Sequence, residues 1–320
     1  MSLPYEEITS SLTKVYGKRD ADGISNSSFI VFDKKIAVID TGAKGELWKE
    51  VIDVIKKHGR DPKKESMYVL LTHEHPDHFG SAGELKSAGK AEIYAHSAAA
   101  DTLRDPSKLV TKHFGVFGET SGVTRKLKSV FEKVTPVNPD TILGGGEKID
   151  LGLSSLTVIH TGGHSAGHLM FYDDYRRVLF AGDEVVEAPG NACKYMIDLT
   201  GSADRKEIVL KRLLELQIDL LAPSHDSATT GEEVKEPINR ALDAHEMWKN
   251  EVYETVNRLG RASTEEVAES VQQALSLNWS GELQQVAATV TTAAYLKSLR
   301  LKGRVQESEE KKGQKTWTSS

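Results

Sequence analysis

A single cysteine, Cys193, stands among 320 residues. No intramolecular disulfide can form from it, and neither a thiolate metal cluster nor a Cys-x-x-Cys redox motif is available. Any metal site must therefore be built from histidine and carboxylate. No apolar run approaches the ~20 residues that span a bilayer. The first residues, Met1-Ser2-Leu3-Pro4-Tyr5-Glu6-Glu7, hold neither a basic n-region nor an apolar h-region, so the expected compartment is the cytoplasm. Charge of one sign is also lacking: 41 Lys and Arg face 47 Asp and Glu, a net charge of −6. That balance argues against nucleic-acid binding through the overall field and leaves only a local basic patch open. No repeat at solenoid periods is present. With 38% hydrophobic and 28% charged residues, the chain reads as globular, with about two domains on a prior of roughly 150 residues each.

Short β-rich runs, Phe29 to Phe32 and Ile36 to Ile39, flank Asp33-Lys34-Lys35 as a hairpin that ends at Asp40-Thr41-Gly42. Helical spacing over 46–58, stopped by Gly59 and Pro62, leads to a strand from Met67 to Thr72. A helix over 80–89, a strand over 91–95 and a short helix over 97–104 follow. The stretch 107–135, with Gly115, Gly118 and Gly122, has no clear period and reads as an insertion or lid. Further on, a strand over 156–160, a hairpin of 169–172 with 178–181, a helix over 203–216 and a strand over 219–222 repeat the β, α, β succession. After Gly231 helix formers dominate: a long helix over 232–259, an N-cap signature at Ser263-Thr264-Glu265-Glu266, and a helix over 283–301. The tail 304–317 reads as a two-stranded wing around Glu309-Glu310-Lys311-Lys312-Gly313, giving a winged-helix outline. The expected division is 1–230 for the catalytic domain and 231–320 for a long linking helix with a winged-helix-like domain.

The most informative string is Thr72-His73-Glu74-His75-Pro76-Asp77-His78, directly after an apolar strand. Four potential ligands (His73, His75, Asp77, His78) within six residues, on a loop leaving a buried strand, can converge on one point. Imidazole and carboxylate suit Zn²⁺, and also Fe or Mn. Three later strand ends carry Gly163-His164, Gly182-Asp183 and Ser224-His225, the usual place for a site on a layered scaffold.

This pattern resembles the metallo-β-lactamase superfamily. The resemblance implies an α/β fold, a four-layer αββα sandwich, here with a small C-terminal helical winged-helix-like domain. It also implies two divalent metal ions, zinc foremost. On that resemblance His73, His75 and His164 hold the first metal, Asp77, His78 and His225 the second, and Asp183 bridges them, while Asp40 supports the site without ligating. Two metals about 3.5–4 Å apart make a bridging hydroxide nucleophile and polarise a carbonyl or phosphoryl oxygen, so hydrolysis is the implied reaction. Asp77 is the candidate catalytic residue, orienting that nucleophile. The usual Pro-Gly-His of the third motif is Gly162-Gly163-His164 here, and the last motif has Ser224 and Asp226 in place of glycines.

His168 reads as a supporting histidine, His113 as cleft-lining or a solvated loop residue, and His58, His96, His160 and His245 as packing or surface residues. Lys194 and Tyr195 are candidates to meet substrate, and Cys193 reads as an incidental thiol. Asp77-His78 resembles the glyoxalase II and ribonuclease Z side of the superfamily, and the tail is similar to that of the lactamase-beta-2-like subgroup, which includes an endoribonuclease acting on single-stranded RNA. Between Tyr295 and Ser320 seven basic residues face three acidic ones, a patch that suits phosphate contact, yet no arginine-rich stripe with interleaved aromatics supports base stacking. The favoured expectation is a hydrolase of a small-molecule thioester, ester or lactone. The alternatives are a metal-dependent phosphodiesterase or endoribonuclease holding RNA on its basic C-terminal tail, and a non-catalytic nucleic-acid-binding module. No membrane partner is expected, and a homo-oligomer is compatible.

Overall fold

In the computed structural model, residues 4–19, 25–117, 121–186, 191–277, 281–309 and 315–320 are described. Seven strands, β1 (Tyr5–Thr9), β2 (Leu12–Arg19), β3 (Ser25–Phe32), β4 (Ile36–Ile39), β5 (Met67–Leu70), β6 (Ala91–His96) and β7 (Thr141–Leu143), form a sheet in sequence order. It is antiparallel through β4 and parallel from β4 to β7. A second sheet, also in sequence order, contains β8 (Lys148–Asp150), β9 (Ser155–His160), β10 (Leu169–Asp173), β11 (Val178–Gly182), β12 (Leu220–Pro223) and β13 (Thr229–Thr230). Only β11 and β12 run parallel in it.

Side-chain alternation makes the layers. On β3, Phe29 and Val31 face the second sheet and pack with Leu156, Val158, Phe171 and Phe180, whereas Ile30 faces the other way, among Val51, Ile55 and Leu85. The rings of Phe29 and Phe180 meet edge to face at 5.5 Å across the sandwich. The outer face of the second sheet (Met170, Leu179, Ala181, Leu221) is covered by Leu210 and Leu213 of the helix Ala203–Leu213 and by Ile238 and Ala241 of the helix Lys235–Leu259. The result is the expected helix, sheet, sheet, helix sandwich. Strands β1 and β2, absent from the sequence reading, extend it at one edge. Buried Thr13 and Lys14 interrupt the apolar alternation of β2 that would have signalled it.

The stretch 107–135 contains two helices, Lys108–Lys112 and Gly122–Phe131. Leu109, Val110, Leu127 and Phe131 from it are buried in one core with Trp248, Val252, Val290 and Tyr295 of the C-terminal helices and with Tyr195 and Ile197. The helices Thr264–Ala274 and Glu282–Leu301 follow the long one. Ser263 caps the first through a full capping box, its hydroxyl accepting from the Glu266 N–H while the Glu266 carboxylate accepts from the Ser263 N–H. The two strands expected in the tail are present and pair antiparallel, β15 (Val305–Glu309) with β16 (Lys315–Ser319), and a third, β14 (Arg261–Ser263), joins them in the order β14, β16, β15. Of the expected wing tip, 309–313, all but Glu309 lies outside the described residues. Among the described residues, no helix is long and apolar enough to cross a membrane.

Candidate metal centre

Four loops leave the carboxyl ends of β5, β9, β11 and β12 at one end of the sandwich, and together they deliver all seven residues singled out from the sequence. Pro76 opens a short helix, Pro76–Phe79, at the first helical position, where its missing N–H costs nothing. That turn places Asp77 and His78 beside His73 and His75. Gly182 stands at φ +55°, and a Cβ there would lie 2.5 Å from His168 Nε2, so only glycine lets β11 end against that ring and project Asp183.

Asp183 Oδ2 occupies the centre. It lies 3.1 Å from His225 Nε2, 3.4 Å from His78 Nε2, 3.8 Å from His164 Nε2 and 3.9 Å from His73 Nε2. Asp77 Oδ2 is 3.5 Å from His78 Nε2 and 3.7 Å from His225 Nε2, and His75 Nδ1 is 3.0 Å from His164 Nε2. Ligand atoms of His73, His75 and His164 lie within 4.8 Å of one another, as do those of His73, His78 and Asp183, and of Asp77, His78 and His225.

The opposite ring nitrogens are tied down. His73 Nδ1 meets the Thr72 hydroxyl at 3.0 Å, and His75 Nε2 donates to Asp198 at 3.1 Å. His164 Nδ1 donates to the Met196 carbonyl at 2.6 Å, and His78 Nδ1 to Asp40 at 2.8 Å. Asp40, in the left-handed region at φ +57°, also accepts from the Thr72 N–H and hydroxyl. Ser224, where the resemblance expects glycine, donates its hydroxyl to the same carboxylate at 3.3 Å. Asp226, the other departure, pairs with Lys194 at 2.8 Å.

The residues fit a metal because three of their inward atoms lack any other use. His73 Nε2, His78 Nε2 and Asp183 Oδ1 are buried and make no hydrogen bond among the described residues. Leaving such atoms bare costs about 1–3 kcal/mol each, a cost that a bound cation removes. Protonation states point the same way. Burial, together with the neighbouring imidazoles, holds the His73 ring well below its ordinary pKa, and burial holds His164 down to about 3, so both rings stay neutral and present lone pairs. Burial pushes the Asp183 carboxyl up, but His225 and His78 beside it override this and hold it well below the usual range. His78 and His225 are raised against their own burial chiefly by Asp183, a pull toward the proton with which a bound cation would compete.

Other residues fall elsewhere than expected. His113 neither lines a cleft nor sits on a solvated loop: it is fully buried, with Nδ1 2.5 Å from Asp198 Oδ2. Tyr195 does not reach toward substrate, because it is buried, stacks on Trp248 at 5.0 Å and shares its hydroxyl with Tyr295. His168 accepts the Asp183 N–H at 3.0 Å. His58 stacks on Phe32, His96 on His160, and His245 meets the Tyr295 hydroxyl. Cys193 is half-buried against the C-terminal core. Sequence reasoning missed Asp198 and the buried Lys206, whose ammonium donates to the Asp183 carbonyl at 3.2 Å. Neither belongs to a spaced motif that would have marked it.

Fold and site together define a metal-dependent hydrolase class. The chain belongs to the metallo-beta-lactamase superfamily, whose family model matches residues 20–225. It is 26% identical to the "Probable metallo-hydrolase YqgX" of Bacillus subtilis, over 50% of this chain and 65% of that one. It is 28% identical to a hydroxyacylglutathione hydrolase of Bdellovibrio bacteriovorus (50% and 49%) and 31% identical to the acyl-coenzyme A thioesterase MBLAC2 of Gallus gallus (50% and 56%). The matched stretch thus spans about half to two thirds of these relatives. A metallo-beta-lactamase family protein of Thermus thermophilus, TTHA1429, superposes with a TM-score of 0.75 at 19% identity, over 98% of this chain and all of that one, and so shares the fold through the C-terminal helices as well.

Proposed function

We propose that the chain is a binuclear metal hydrolase of a small thioester, ester or lactone. The carrying observation is the single carboxylate oxygen of Asp183 set among the Nε2 atoms of His225, His78, His164 and His73, at 3.1–3.9 Å. His73, His75 and His164 would hold one cation, Asp77, His78 and His225 the other, and Asp183 both. Two bound cations, zinc foremost, would supply Lewis acidity toward a carbonyl and a water acidic enough to attack near neutral pH. Asp77, whose side chain keeps 35% of its exposure, is the ligand open to solvent and accepts the proton of the attacking water. Asp40 and Asp198 hold the rings of His78 and His75 from behind, and Lys206 anchors the backbone of Asp183.

The names of the Bdellovibrio and Gallus relatives favour a thioester. The basic tail gives less support to a phosphodiesterase, because three of its seven basic residues are already engaged: Arg300 and Lys315 both pair with Glu307, and Lys302 pairs with Asp204. We accordingly read the three-stranded C-terminal sheet as a winged-helix-like structural element rather than an RNA-binding one. The test is metal content by mass spectrometry on chelator-free protein, with thioester, lactone, β-lactam and phosphodiester substrates offered to wild type and to Asp183→Asn. About two metals per chain and thioester or lactone cleavage lost in the variant are expected. Phosphodiester cleavage alone would transfer the assignment to the nuclease reading, and a wild type that takes up no Zn²⁺, Mn²⁺ or Fe²⁺ would end it.

A further inference from the structure

We infer that His113, from the insertion, is a positioning residue for the first metal-binding triad and acts on His75 through the Asp198 carboxylate. The inference rests on the binuclear reading for its consequence, and on geometry for its substance. Asp198 Oδ2 lies 3.1 Å from His75 Nε2 and 2.5 Å from His113 Nδ1. A carboxylate only accepts, so each ring must present an N–H to it. Asp198 Oδ1 is equally committed, to the N–H groups of Thr200 and Gly201 and to the Thr200 hydroxyl, at 2.7–2.9 Å. Both side chains are fully buried, so water does not compete for these bonds. On the far side of the imidazole, His113 Nε2 faces the Thr102 hydroxyl at 3.2 Å and Glu74 Oε1 at 3.7 Å.

The tautomer of His75 is what this arrangement decides. With its N–H on Nε2, the lone pair is on Nδ1, the atom turned toward His164 Nε2 and the position of the first cation. The short segment bearing Asp198 governs His164 too: the Met196 carbonyl accepts from His164 Nδ1, and the Asp198 N–H donates to the His164 carbonyl. That segment is gripped from two sides. The Leu199 N–H donates to the His113 carbonyl, and the Ile197 N–H donates to the hydroxyl of Thr291, a buried residue of the helix Glu282–Leu301. The insertion and the C-terminal helices, which share one core, therefore jointly hold two of the first metal's three histidines.

The test combines nitrogen-detected NMR of histidine tautomers in metal-free protein with chelator competition and Co²⁺ absorption on reloaded protein. Wild type is expected to show His75 as the Nε2–H form. His113→Leu should populate the other tautomer, weaken the first metal about 10–100-fold, alter the Co²⁺ bands of that site and leave the second metal's affinity unchanged. His113→Gln, whose amide can donate to Asp198, should recover most of the loss. Circular dichroism checks the fold, and if His113→Leu does not fold, the comparison of His113→Gln with Asp198→Asn takes its place, with only the latter expected to lose the tautomer preference. Unchanged tautomer and affinity in His113→Leu would overturn the inference, as would a glutamine variant no better than leucine. Should wild type bind no cation, the binuclear reading fails by itself, and the tautomer measurement alone decides whether His113 governs His75.

Discussion

Both ends of the sandwich bury a cluster of charged side chains, and the two are finished differently. At the end where β4, β9 and β11 begin, Asp33 accepts from the N–H groups of Lys34, Leu153 and Ser154, from the Ser154 hydroxyl and from Arg176, which also pairs with Asp173. Every polar atom of Asp33 is used. At the end where those strands finish, Asp183 and two of its histidines keep atoms that make no hydrogen bond among the described residues. A completed cluster fastens loops together, whereas an incomplete one holds back stabilisation that only a ligand can restore. Incompleteness at one end, beside completeness at the other, is the physical mark of the site.

The comparison can be broken from either end. Asp183→Asn has the largest expected effect, a fall in turnover of about 1,000-fold, the upper range for removing one charge-stabilising group from a reacting centre. Metal content should drop with it while the circular dichroism spectrum stays native. Arg176→Met should do the opposite: with two buried carboxylates left unpaired, urea unfolding should show a loss of about 3 kcal/mol, and metal content should hold.

Acid provides a finer contrast. Burial pushes the Asp33 carboxyl up, but the N–H groups of Leu153 and Lys34 and the Arg176 guanidinium pull it below its ordinary value. A carboxyl depressed in the folded state adds stability that is fully present above its unfolded pKa, near 3.9, and is lost as pH falls through the folded value. In metal-free protein, Asp33→Asn should therefore lose stability less steeply than wild type below about pH 4, as read by urea unfolding at successive pH values. The smallest effect lies away from both ends. Ser263→Ala removes a capping box and should cost about 1 kcal/mol in the same assay, with metal content and turnover unchanged.

Much of this was readable in the chain. The strands from Phe29 onward and the loops that end them were visible because buried strands need apolar runs and tight loops need glycine and proline. His73, His75, Asp77 and His78 were visible for a related reason, since residues that share a loop keep a short spacing, whereas His164, Asp183 and His225, on three other loops, were assigned to the site only through the family resemblance. His113 was noticed but misplaced, because a histidine in a glycine-rich stretch looks solvated until the fold seals its ring between Asp198 and Thr102. Asp198 gave no sign at all. Its partners, His75 and His113, are 123 and 85 residues away, and no local period encodes a hydrogen bond of that span. The third strand of the C-terminal sheet, Arg261–Ser263, was hidden for a similar reason, being three residues long with one of them exposed.

The sequence by itself determined the cluster of candidate ligands on the first loop and most of the succession of strands and helices, because both are written in local patterns: metal-type spacing on one loop, and runs of apolar residues broken by glycine and proline. Tertiary structure alone decided which nitrogen of each histidine faces inward, and which buried groups hold it there. Those choices depend on hydrogen bonds between residues distant in the chain, made inside a core that exists only once the insertion, the segment around Asp198 and the C-terminal helices have packed together.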